Sequence, residues 1–141
     1  VDSIHKELGL VMWDFVGMGR TAEGLKEGIA KIDAIKKEFW SNVYIPGEAD
    51  KLNNELEKAL RLADFIEIGR LMAVDALHRE ESCGGHFREE FQTPEGEAMR
   101  QDDKFGYVGC WEYTGEDSEP ELIKEPLDYE FTERKTRNYK N

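Results

Sequence analysis

The sequence predicts a mainly α chain: an antiparallel, up-down-up three-helix bundle of spectrin-repeat-like form, with an irregular C-terminal extension that includes a candidate β-hairpin. Three observations predict it. Apolar residues recur at spacings of three and four through about the first 80 residues. Glycine- and proline-bearing breaks near residues 17–19 and 45–47 divide that pattern into three. Beyond residue 91 the helical period gives way to turn residues and short alternating runs. The expected organisation is a bundle over residues 1–91, ending in a charged turn motif, and an acidic, turn-rich extension over 92–141 that packs on the bundle or on partner domains.

The first helix is expected over residues 3–16, where Ile4, Leu8, Val11, Met12 and Phe15 form one stripe. Asp2 or Ser3 can cap its first amides, and Gly17 and Gly19 can stop it. Thr21 reads as the cap of a second helix, with Leu25, Ile29, Ile32, Ile35 and Phe39 facing inward. Ile45-Pro46-Gly47 ends that region, because proline disfavours helical geometry in the residue before it. Asp50 reads as a third cap, followed by a stripe of Leu52, Leu56, Ala59, Ala63, Ile66, Ala73 and Leu77, widened by Leu60, Leu62, Phe65, Met72 and Ala76. That helix is expected to reach about Glu81. Its small residues, Gly69 among them, let a neighbouring helix approach closely. In the extension, 105–115 alternates as a strand and 127–132 as a second, joined through 115–120; residues 134–141 read as a frayed basic end. Trp13 and Trp40 are expected to pack at the bundle margins, and Trp111 on a hairpin face.

Charge restricts the partners. The chain carries 31 acids against 19 Lys and Arg, a net charge of -12, and phosphate affinity needs the opposite balance, so nucleic acid is not an expected partner. The acidity is local: residues 89–133 hold 15 acids and 3 bases, whereas 1–88 hold 16 and 12. No apolar run is long enough to span or insert into a membrane. Two distant cysteines make no disulfide framework and suggest a reducing compartment. Val1 opens directly in a helical pattern without an initiator methionine, which suggests a fragment or a processed product, with removal of the methionine alone as the plainer alternative.

The densest chemistry lies in Arg79-Glu80-Glu81-Ser82-Cys83-Gly84-Gly85-His86-Phe87-Arg88-Glu89-Glu90-Phe91. Cys83 and His86, with His78 and Cys110, are ligand types that zinc uses, but one Cys-x2-His pair lacks the second pair of a zinc signature. A Cys83–His86 nucleophile would sit among Glu80, Glu81, Glu89 and Glu90, which oppose a thiolate. Asp102 and Asp103 read as an exposed acidic loop. The Gly17-x-Gly19 run lacks the preceding strand of a phosphate-binding turn. The expectation is therefore no catalytic, cofactor-binding or metal-binding residue in this chain.

Two blocks taken together carry a resemblance. Leu10-Val11-Met12-Trp13-Asp14-Phe15-Val16-Gly17-Met18-Gly19-Arg20-Thr21, followed at a distance by the charged motif and Arg100-x-Asp102-Asp103, resembles the C-terminal helical domain of the succinate dehydrogenase/fumarate reductase flavoprotein subunit. Cys83 stands where that family usually has Arg, and Gly85 where it usually has Ala. The resemblance implies a parent that interconverts succinate and fumarate with FAD, held in domains outside this stretch. It implies partners in the FAD-binding and capping domains of the same parent chain and in an iron–sulfur subunit. It also implies a cytoplasmic place, peripheral to the inner face of the membrane through the parent complex. The interface candidates are Arg79, Glu81, Ser82, His86, Arg88, Asp102 and Asp103, and Arg88→Ala is expected to weaken assembly more than it destabilises the domain. L-aspartate oxidase and adenylylsulfate reductase are competing parents; a free-standing acidic helical-bundle adaptor and a small metalloprotein using Cys83, His86 and Cys110 are readings of other classes.

Overall fold

The computed structural model describes residues 1–116 and 118–136. Three long helices, α1 (Asp2–Val16), α2 (Ala22–Asn42) and α3 (Asn54–His78), are followed by a single turn of helix, α4 (Asp102–Phe105), and two strands, β1 (Tyr107–Glu112) and β2 (Glu121–Pro126). The architecture is the mainly helical one that the periodicity predicts.

Two helix starts differ from expectation. Val1, with no side-chain cap, precedes α1, so neither Asp2 nor Ser3 caps it. Thr21 does cap α2, its Oγ1 accepting from Gly24 N at 3.0 Å. On α3 the cap is Asn53 instead of Asp50: its Oδ1 accepts from the amides of Glu55 and Leu56, while its Nδ2 donates to Pro46 O. Asparagine can hold both sides of this corner because it carries a donor and an acceptor, which aspartate does not. Leu52, expected in the α3 stripe, therefore lies outside the helix and is 97% exposed. At its far end α3 stops at His78, not Glu81, where Arg79 turns to extended backbone.

The core is one cluster in which Leu8, Val11 and Val16 of α1 meet Leu25, Ile32, Ile35 and Phe39 of α2 and Ala59, Leu62, Ile66, Ala73 and Ala76 of α3. Each fully covered Leu or Ile contributes about 1.5–3 kcal/mol. The helices touch closely: a Cβ on Gly28 of α2 would stand 2.8 Å from Phe15 Cβ. Leu60, Phe65 and Met72 do not widen this stripe but lie exposed, and Trp13 and Trp40 are on the surface instead of packed at the margins.

The hairpin pairs Tyr107 with Pro126 through Glu112 with Glu121. The second strand is thus 121–126, not 127–132. The alternation of Leu127, Tyr129 and Phe131 finds no partner strand among the described residues, and Phe131 is exposed. Three contacts seat the hairpin on α3: Trp111 Nε1 donates to Asp75 Oδ1 at 2.8 Å, His78 Nε2 meets Tyr107 Oη at 2.7 Å, and Arg70 reaches both Asp33 of α2 and Glu119. Of the basic end, 137–141 lie outside the described residues. Its described part is tethered instead of frayed: Arg134 donates to Leu127 O, and Lys135 O accepts from Arg100.

Candidate functional site

The charged motif folds because it can turn tightly. Cys83 and His86 exchange backbone bonds of 2.8 and 3.1 Å across a two-residue turn. Gly84, at φ +59, takes a conformation that a side chain would resist. The turn brings Ser82 beside Arg88, and Ser82 Oγ both accepts from Arg88 N and donates to Arg88 O. Ser82 is wholly buried. On its far side the returning chain pairs in parallel with the α1–α2 connection: Arg20 N donates to Phe87 O, and Glu89 N to Arg20 O. The two sequence blocks, 66 residues apart at Arg20 and His86, are thereby one structure.

That structure closes one pole of the bundle. Lys58 lies beside Asp2 at one end, and Arg20 and Arg88 occupy the other, so α1 and α3 run the same way and α2 against them. Arg20 Nε donates to the terminal carbonyls Val16 O and Gly17 O of α1. Arg88 Nη1 donates to Ala76 O and Leu77 O of α3. Glu90 accepts from Ala22 N, the first amide of α2, at 2.5 Å, and from Arg88 Nε at 3.1 Å. Each charge therefore meets the helix end of opposite partial charge, cations at two C-termini and an anion at one N-terminus. Burial disfavours ionised Glu90, but the Ala22 amide and Arg88 outweigh it and hold its pKa below the usual carboxylate value.

His86 sits between them. Its Nδ1 is 2.9 Å from Arg20 Nη1 and its Nε2 is 2.8 Å from Arg79 O. Guanidinium only donates and a carbonyl only accepts, so Nε2 carries the proton and Nδ1 the lone pair. Burial, and then the charges of Arg20, Arg88 and Arg79, lower the pKa of this imidazole, against the Arg79 carbonyl bond. With both nitrogens engaged it is neither a free metal ligand nor a base for Cys83.

Arg79 and Glu81 carry the motif toward the extension. Arg79 donates to Glu81 Oε1, Phe105 O and Tyr107 O, and lies over the rings of Phe105 and Tyr107. Glu81, 3% exposed, takes the Gln101 amide on its other oxygen. Arg100 and Asp102 form a two-bond pair of their own, and Asp103 is exposed at the start of α4, so these aspartates belong to a helical turn instead of a loop. Of the seven sequence candidates, Glu81, Ser82 and Arg88 are buried within the chain itself. The candidate set missed Arg20 and Glu90. Their signal was available in principle: Arg20 comes four residues after the end of α1, and Glu90 is an acid two residues from Arg88.

Beside the motif, a cleft of about 320 Å³ is lined by Cys83, Arg79, Arg100, Phe105, Tyr129 and Arg134 among others. Its guanidiniums are already bonded within the chain. Both cysteines are free and exposed, and no cluster of three or more His, Cys, Asp or Glu suited to a metal occurs among the described residues. Nor do the described strands and helices form the strand, glycine turn and helix that cradle a flavin dinucleotide. The arrangement is a hydrogen-bonded polar cap, and among the described residues no hydrogen bond links Cys83 Sγ to a base.

Comparison with known proteins places this geometry. Residues 5–139 match the family model of the fumarate reductase flavoprotein C-terminus. An FAD-dependent oxidoreductase of Methanocaldococcus jannaschii is 35% identical over 91 residues, 64% of this chain and 16% of that protein. A CoM/CoB fumarate reductase chain of Methanothermobacter marburgensis is 31% identical over 97 residues, 69% of this chain and 17% of that one. An L-aspartate oxidase of Yersinia pestis is 32% identical over 84 residues, 57% of this chain and 14% of the enzyme. An Escherichia coli quinol fumarate reductase FrdA structure superposes with a TM-score of 0.81 at 24% identity, over 96% of this chain and 22% of that chain. The chain spans about a sixth of the length of these curated relatives.

Proposed function

This chain belongs to the fumarate reductase flavoprotein C-terminal family, and from that premise we propose that it is a non-catalytic bracing domain of an FAD-dependent enzyme interconverting succinate and fumarate. The observation that supports this most directly is the closure of the bundle pole by Arg20, His86, Arg88 and Glu90, residues drawn from both blocks of the family resemblance. The family is one of flavoproteins, which implies FAD in the parent subunit. We assign the flavin and the reacting residues to the remainder of the parent, because the described residues offer no dinucleotide cradle and the cleft acids Glu81 and Asp102 are already bonded to Arg79 and Arg100. The partners are then the FAD-binding and capping domains of the same chain and, through them, an iron–sulfur subunit.

In this reading the motif has two layers. Glu81, Ser82 and Arg88 fix its shape from inside. The exposed Cys83-Gly84-Gly85 tip and Asp103, with the rims of Arg79, His86 and Asp102, meet the partner domains. No helix among the described residues is long and apolar enough to cross a membrane; attachment to the inner membrane face would come through the complex. The resemblance to L-aspartate oxidase supports a second parent of the same architecture. Two measurements test the proposal. The purified chain should neither bind FAD tightly nor reduce fumarate, and either result would overturn it. In the full-length parent, turnover assayed with succinate and with L-aspartate separates the two readings.

A further inference from the structure

The face of the hairpin turned away from α3 has a composition that the bracing role does not use. Residues directly opposite in an antiparallel pair share a face, and alternate residues lie together. The register therefore puts Val108, Cys110 and Glu112 on one face with Glu125, Ile123 and Glu121. All six are exposed. The other face holds Tyr107 and Trp111, with Lys124 over the Tyr107 ring, against the bundle. The outward face is thus a small apolar centre of Val108, Cys110 and Ile123, bordered by three glutamates and no base.

Glu112 and Glu121 are the decisive pair. They are cross-strand partners in the register, where like charges destabilise a sheet. Neither takes part in an ion pair or side-chain hydrogen bond among the described residues. The surrounding segment, 89–133, already holds 15 acids and 3 bases. The free chain therefore keeps a local repulsion that an opposing cation would relieve, beside apolar atoms that an opposing apolar group would cover.

We infer that this face docks a partner protein whose contact surface presents Lys or Arg around an apolar residue. Charge complementarity selects that occupant: a second copy would oppose glutamate with glutamate, and an acidic or uncharged surface would leave the repulsion in place. The inference concerns a surface distinct from the charged motif and does not depend on the parent's reaction.

Cross-linking tests it in the protein at the length its own cells make. With Val108 replaced by benzoylphenylalanine, irradiation should yield a cross-link to a different polypeptide, at a peptide containing Lys or Arg. Yield should fall several-fold between about 0.05 and 0.3 M salt, where screening shortens from over 10 Å to below 8 Å. Glu121→Lys should cut it at least about tenfold, while leaving the hairpin folded or steadier, since the introduced ammonium would then face Glu112. A cross-link confined to the same chain or to a second copy, a partner peptide without bases, a yield indifferent to salt, or no cross-link at all would each overturn the inference. Flavin carried by the purified chain is read separately. A basic partner, found together with flavin on the isolated chain, removes the bracing role and keeps this surface; no basic partner and no such flavin does the reverse.

Discussion

The helical core and the polar cap at its pole are built by opposite means. The core is a set of apolar side chains on three helices, and its attraction is non-directional: Leu25, Ile32, Leu62 and Ile66 need only be covered. The cap holds few apolar contacts and many aimed ones. Arg20 and Arg88 each bond a helix C-terminus, Glu90 bonds an N-terminus, and Ser82 and Glu81 are buried with partners on both sides. A core of the first kind tolerates exchange of similar volumes. A cap of the second kind tolerates almost none, because each loss strands another buried polar group. The bundle therefore determines whether the chain folds, and the cap determines how the three helix ends at its pole are held together.

The largest effect should come from the core. Leu25→Ala removes a side chain with no exposure and should cost about 2–5 kcal/mol in urea unfolding, with cap and bundle lost together. Next is Arg88→Ala. It leaves two α3 carbonyls and Glu90 Oε2 without their donor, Glu90 Oε1 keeping the Ala22 amide, and stability should fall by about 3 kcal/mol. Arg88→Lys should recover only part of this, since an ammonium cannot reproduce the fork. A loss no greater than that of a surface ion pair would break the contrast between core and cap. The expectation that Arg88→Ala acts mainly on assembly must yield some ground, because a residue 2% exposed serves its own fold first.

Acid acts on the cap and leaves the core alone, because the core has nothing to titrate. His86 and His78 both have pKa values lowered, chiefly by burial, so the unfolded chain binds more protons than the folded one below the free imidazole value of about 6.5. Their contribution is complete above that value and is lost as pH falls from it toward their folded values. The urea midpoint should drop over this window, and His86→Gln should flatten the drop. A midpoint that rises on acidification would contradict the neutral Nε2–H form of His86. At the hairpin, Asp75→Ala removes the acceptor of Trp111 Nε1. About 1 kcal/mol should be lost, seen as faster hydrogen exchange in β1 but not in α2. The smallest change is Lys31→Ala at the exposed Glu27 pair, under about 0.5 kcal/mol.

The same division explains what could be read from the sequence. The three helices are legible because burial repeats with the helical period, and Thr21 because a cap acts on its own neighbours. Asn53 is missed in favour of Asp50 because its second bond reaches back to Pro46, seven residues away. The strand 121–126 is missed because only Leu122 is partly covered, so it shows no alternation. Within the cap, the two resemblance blocks announce that both stretches matter. Their juxtaposition is not encoded in any local pattern: Arg20 finds His86, and Ala22 finds Glu90, from 66 and 68 residues away along the chain.

The parallel pairing of Arg20 with Arg88 has a consequence for how the chain can be divided. It fastens the α1–α2 connection to the segment that leaves α3, so the two sides of the 43–53 loop are joined at the opposite pole as well as through the core. Severing the backbone near Gly47 would cut covalent continuity without releasing either piece. Residues 1–47 and 48–141, made apart, would meet at a ready-made seam of apolar helix faces finished by arginine, histidine and glutamate. The domain is in this sense a natural candidate for fragment complementation, with the polar cap acting as the lock that sets the two halves in register.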